Sequence, residues 1–178
     1  MSIEFDASGL EAAKKVIEKY SDRAPQAISS AINRALIAGR KTLSVGIRSE
    51  YSIAAGIIKA HTRLKKASAY RGDGSILISG HPIDLMEFNP KISKDGLVSV
   101  KVKRARRKLS HSFFVAPSAG LYHRATEERF PIEREYSLSV PQMAGNVNVV
   151  SKVEERMRTV FEDRLQHALT YGEGRGYD

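Results

Sequence analysis

No cysteine occurs among the 178 residues, so the chain offers no disulfide framework, no thiolate metal site and no cysteine nucleophile. Histidine is scarce as well, with five scattered copies and no His-Glu-x-x-His spacing. Gly-x-Ser-x-Gly and the Walker-type glycine loop are absent too. No apolar run approaches the roughly 18 residues of a membrane span. The start, Met1-Ser2-Ile3-Glu4-Phe5-Asp6, lacks the basic and apolar regions of a secretory signal. The chain is therefore expected to be soluble, unprocessed and made in the cytoplasm. A domain of this length buries roughly 70% of its unfolded surface, so no metal or cofactor is needed for folding and none is expected.

Acidic charge is in short supply through the middle of the chain. Net charge is +9 and the pI near 9.8, but the excess is local. Residues 25–130 carry +12, residues 1–24 carry −1 and residues 131–178 carry −2. A basic centre between weakly acidic ends suits nucleic acid, or an acidic patch on a neighbouring subunit.

Hydrophobic periodicity divides the chain into three regimes. Ile3, Phe5 and Ala7 alternate as in a short strand, and Ser8 with Glu11 has capping-box spacing for a helix over residues 8–22. Its stripe is Leu10, Ala13, Val16, Ile17 and Tyr20. A second, long helix is predicted from Pro25 to Tyr51, with Ala24, Ala27, Ile28, Ala31, Ile32, Ala35, Leu36 and Leu43 on its apolar side. Gly39 and Gly46 weaken its second half and leave room for a bend. Ser52 is the expected N-cap of a further short helix through Ile58.

From Thr62 the period becomes two. Strands are predicted over residues 68–70, 75–79, 83–88, 97–103, 113–115 and 121–126, with Gly72-Asp73-Gly74 as a turn. In the clearest of them, Val98, Val100 and Val102 share one face and Leu97, Ser99, Lys101 and Lys103 the other. Pro131 to Val140 reads as a strand or an extended arm. Helical spacing returns from Val147 to Tyr171 through Val150, Val153, Met157, Val160, Phe161, Leu165 and Leu169. Gly172 to Asp178 is Gly-rich and expected to be a flexible tail. The order predicts a single α+β domain over residues 1–171, with N-terminal helices and a C-terminal helix packed on an antiparallel β-sheet.

The densest chemistry is Lys101, Lys103, Arg104, Arg106, Arg107 and Lys108, six cations within eight residues. Like charges so close resist burial, which predicts an exposed hairpin tip able to grip phosphates or an acidic partner. The plainer reading is a solvated or salt-bridged turn. Glu127, Glu128, Glu133 and Glu135 resemble paired carboxylates, but interleaved Arg124, Arg129 and Arg134 lower carboxylate pKa values where a general acid needs one raised. A salt-bridge network is expected there. His111 with Ser112, or His123 with Glu127, supplies at most fragments of a triad, and a lone histidine on a strand is usually structural. No enzyme activity or small-molecule substrate is expected.

Several segments together resemble the minor tail protein Z family of tailed phages and prophages. They are Ala31-Ile32-Asn33-Arg34-Ala35-Leu36 with the helix to Arg48-Ser49-Glu50-Tyr51, then 83–88, 96–102 and Phe113-Phe114-Val115-Ala116. The firmest part is Arg124, Arg129-Phe130-Pro131-Ile132, Tyr136 and Ser139-Val140-Pro141-Gln142-Met143, similar to that family's R-x-P-I and S-V-P-x-M signature. Ser137 and Leu138 stand where that family often has Gly-Pro, so the local backbone is expected to differ. The resemblance implies a structural protein of the phage virion, made in the bacterial host cytoplasm. It further implies tail completion and head-tail joining at the head-proximal end, as an oligomeric ring contacting tail and neck proteins. Arg129, Phe130, Pro131, Ile132, Tyr136, Val140, Pro141 and Met143 would then form a subunit-docking arm, and the 101–108 cations would face an acidic partner or genomic DNA. The competing expectation is a sequence-independent nucleic-acid-binding module that uses the 101–108 segment.

Overall fold

A computed structural model describes residues 1–5, 24–115 and 120–173. The helix expected over 8–22, with its Ser8–Glu11 capping box, lies outside them, as does most of the expected tail. In chain order the elements are β1 (Ser2–Phe5), α1 (Ala24–Glu50), α2 (Ala55–Ala60), β2 (Thr62–Lys65), β3 (Gly74–Ile78) and β4 (Pro82–Asp84). A 3-10 turn (Leu85–Phe88) leads to β5 (Lys91–Ile92), β6 (Val98–Val100), β7 (Arg107–Leu109), β8 (Ser112–Phe114), β9 (Leu121–Arg124), β10 (Ile132–Arg134) and β11 (Tyr136–Ser139). The chain ends with α3 (Val140–Ala144) and α4 (Val147–Glu173). The fold is α+β, as the periodicities predict, and every strand pair is antiparallel. In place of one sheet, the described strands form four small ones: β1-β3-β2, β10-β9-β8, β11-β4 and β5-β6-β7. Strands of two to five residues are too short to carry a broad continuous sheet.

The stretch expected to be one domain divides into two compact units. The first holds residues 1–46, 62–78 and 145–178. Its core follows the helical stripes, since Ala31, Ile32, Ala35, Leu36 and Leu43 of α1 are buried, as are Val149, Val153, Met157, Phe161 and Leu165 of α4. Helix α1 lies on the β1-β3-β2 sheet, where Ile3, Ile76 and Leu64 form one cross-strand row. A Cβ on Gly74 would fall 2.7 Å from Leu36 Cδ1, so this glycine lets the sheet reach the helix. Gly74 was expected in a turn and instead begins β3.

Gly39 and Gly46 do not interrupt α1, which runs unbroken to Glu50. They make room for α4. A Cβ at Gly39 would lie 2.6 Å from the Met157 Cγ and Sδ atoms, and one at Gly46 would lie 3.2 Å from Val149 Cγ1. Moving seven residues along α1 moves the contact eight residues back along α4, so the two helices run antiparallel.

The second unit holds residues 47–61 and 79–144. Its core includes Tyr51, Ile58, Leu85, Phe88, Val98, Val100, Leu121, Val140 and Met143. Several expectations change here. The short helix is capped by Ala54 without a side-chain hydrogen bond, and not by Ser52, because the Ser52 N–H instead donates to the Val102 carbonyl at 2.8 Å. The strand expected over 83–88 stops at Asp84, whose Oδ1 accepts from the Met86 N–H at 2.8 Å and starts the 3-10 turn. Asn89 closes that turn with φ +49. Residues 68–70 form only a bridge between Ser68 and Arg71, in the first unit. The valine strand ends at Val100, and Ser99, expected on the polar face, is buried because its hydroxyl donates to the Lys91 carbonyl at 3.1 Å.

Candidate docking interface

The six-cation segment forms the connection of the β6-β7 hairpin and the start of β7, with Val98 opposite Leu109 and Val100 opposite Arg107. All six cations are exposed, as like-charge repulsion requires. Four of them are also engaged within the chain. The Arg106 guanidinium donates to the Ser99 carbonyl at 2.9 Å, and Lys108 pairs with Asp95 at 2.5 Å. Arg104 reaches Glu50 at 3.8 Å, and the Lys103 ammonium sits 5.8 Å from the centre of the Tyr51 ring. Lys101 and Arg107 make no ion pair among the described residues. The surface pairs are worth about 0–1 kcal/mol each and yield readily to an incoming anion.

Beside the hairpin lies a cleft of about 610 Å³. Leu85, Val100, Val102, Leu109 and Leu138 make its apolar lining, and Lys103, Arg104 and Arg107 bring positive charge to it. Glu50 and Glu135 also line it, each held by a partner of its own. Residues of β7 and β11 contribute to the wall, and each of these strands is the outer strand of its sheet. Glu50, Leu109, Ser137 and Leu138 carry no signal of a site in the sequence, because two strands of different sheets lining one cleft leave no periodic mark.

The docking arm expected over 129–143 is not one extended arm. Its first part pairs with β9 as β10 and its second with β4 as β11. Arg129, Phe130, Pro131 and Tyr136 are exposed, and Phe130 is 62% accessible with the Arg129 guanidinium 5.7 Å from its ring centre. Ile132 and Pro141 are half-buried. Val140 and Met143 are fully buried core residues and offer no docking surface. Their burial follows from a capping box: the Ser139 N–H donates to Gln142 Oε1 at 2.8 Å, and the Gln142 N–H donates to Ser139 Oγ at 3.4 Å. Ser139-Val140-Pro141-Gln142 is therefore a helix start, with Pro141 in the first turn where its missing N–H costs nothing.

The expected Arg–Glu network does not form among the described residues. Arg134 pairs with Asp84 at 2.6 Å, whereas the Arg124 guanidinium lies 5.6 Å from the Phe113 ring centre. Glu133 and Glu135 face His123 instead, at 3.8 Å from Nε2 and 3.4 Å from Nδ1. The strand registers put Ser112, His123 and Glu133 in one row. This cluster recombines the fragments seen in the sequence, since Ser112 joins His123 while His111 and Glu127 take no part. The Ser112 hydroxyl donates to Glu135 Oε1 at 2.6 Å. A nucleophile needs its hydroxyl on the imidazole, so that order does not prepare Ser112 for attack. The His123 Nδ1 atom is buried without a hydrogen bond, the contact to Glu135 being an ion-pair distance with poor alignment.

Among the described residues no group of His, Asp and Glu side chains is arranged to hold a metal ion. Among the described residues no helix is long and apolar enough to cross a membrane. Comparison with family models, curated proteins and solved structures found nothing that matches the chain.

Proposed function

We propose that this protein is a structural subunit of a tailed-phage virion that works by docking to other tail and neck proteins at the head-tail joint. The observation that carries the docking part is the character of the second unit's surface. Exposed Phe130 and Tyr136, the cationic hairpin and an apolar cleft stand open there, while Ser112, Arg134 and Asp84 are consumed in contacts within the unit. Large aromatic and arginine side chains are the residue types that dominate protein interfaces. The virion assignment rests on the Arg129–Ile132 and Ser139–Met143 signature. A ring of identical subunits, which needs one patch to meet a different patch on the next copy, is part of this reading.

Electron microscopy of particles made with and without the protein tests it, using a C-terminal tag for localisation. Label at the head-tail joint, with separated heads and tails when the protein is missing, is the expected outcome. Normal particles without label would sink the reading.

A second reading, sequence-independent nucleic-acid binding, is favoured by Lys101 and Arg107, whose charges are unmatched by any ion pair among the described residues. It requires DNA affinity that falls steeply with salt, with the slope reduced by about one for each phosphate contact removed.

A further inference from the structure

We infer that the cleft lined by β7 and β11 receives a short extended segment of a partner protein that alternates apolar side chains with carboxylates. Three observations lead there. β7 and β11 each have a ladder neighbour on one side only among the described residues. The far side of such a strand presents backbone donors and acceptors in the spacing that another strand matches. Three residues of β7 offer about 10 Å of edge, enough for three to five residues of guest chain.

The lining then specifies the side chains. Val102, Leu109 and Leu138, each half-buried, give apolar contact for every second residue of the guest, because successive side chains of a strand point to opposite faces. The other residues face the rim, where, among the described residues, Arg107 has no ion pair and Arg104 and Lys103 are held only by contacts of 3.8 Å and 5.8 Å. Carboxylates satisfy all three, and Arg107 can take one through two parallel hydrogen bonds. A DNA backbone brings phosphates but neither apolar side chains for the floor nor a strand for the edges.

This inference deepens the docking role by naming the partner's chemistry. Binding to the isolated full-length chain tests it separately from particle assembly, so either can fail alone. The probe is a fluorescein-labelled Gly-Glu-Val-Glu-Val-Glu-Val-Gly peptide followed by fluorescence anisotropy. Saturable binding is expected, weakened about tenfold by serine in place of the valines and about tenfold by Arg107→Glu in the protein. Lysine in place of the glutamates should abolish it. Circular dichroism checks that Arg107→Glu, an exposed position, leaves the fold intact. Absence of saturable binding, equal binding of the serine peptide or indifference to Arg107→Glu each overturns the inference. A short DNA duplex that displaces the peptide and binds more tightly would overturn it too, by giving the cleft to nucleic acid.

Discussion

Asn33 and Ala67 exchange two hydrogen bonds, the Asn33 amide nitrogen donating to the Ala67 carbonyl and the Ala67 N–H donating to Asn33 Oδ1, each at 2.9 Å. One side chain in the middle of α1 thus serves the backbone as a neighbouring strand would, and ties the loop after β2 to the helix. Asparagine is a poor helix former, so its place there is explained by this clamp. Replacing Asn33 with Ala is expected to lower stability by about 2 kcal/mol, two net hydrogen bonds of roughly 1 kcal/mol each. Asn33→Asp keeps the acceptor and loses the donor, and should cost less than Asn33→Ala. Urea denaturation with an unchanged slope checks both.

The two glycines of α1 should respond differently to alanine. At Gly39 a methyl group collides with buried Met157, and overpacking of about 1–3 kcal/mol exceeds the gain of roughly 1 kcal/mol in helix propensity. At Gly46 the contact to Val149 is 3.2 Å, so a shift of a few tenths of an ångström suffices and Gly46→Ala should be close to neutral. Thermal unfolding of the two variants measures the difference, and Met157→Ala should rescue part of the Gly39→Ala loss.

Ser139 is expected to matter through its cap. Ser139→Ala removes the acceptor for the Gln142 N–H and should cost about 1 kcal/mol, while Ser139→Asp should retain most of the stability. If chemical denaturation finds Ser139→Asp as damaging as Ser139→Ala, the capping account of this segment is wrong.

A hydrogen bond and positive charge from Lys65, with Arg71 nearby, hold the Asp73 carboxyl below the usual aspartate range. The stability linked to this lowered folded-state pKa is complete above the unfolded value, ~3.9, and disappears as pH falls through the folded one. Both side chains are exposed, so the effect is screened by salt. Carboxyl carbon NMR should show Asp73 titrating higher in Lys65→Met, towards the ordinary value.

The sequence by itself determined the α+β class, the long helices ending near Glu50 and beginning at Val147, and the exposure of the 101–108 cations. Each of these rests on a local cause: helical stripes over seven turns for the helices, and repulsion among neighbouring charges for the hairpin. Only the tertiary structure decided the rest. Gly39 looked like a flaw in a helix until Met157, 118 positions away, was set against it. Val140 and Met143 looked like part of an arm until Ser139 and Gln142 closed a capping box that turned both into the core. The Ser112, His123 and Glu135 cluster and the cleft lined by β7 and β11 depend on which strand pairs with which, and in what register. Strands of three or four residues carry too little periodicity to specify that pairing, so long-range packing chose it.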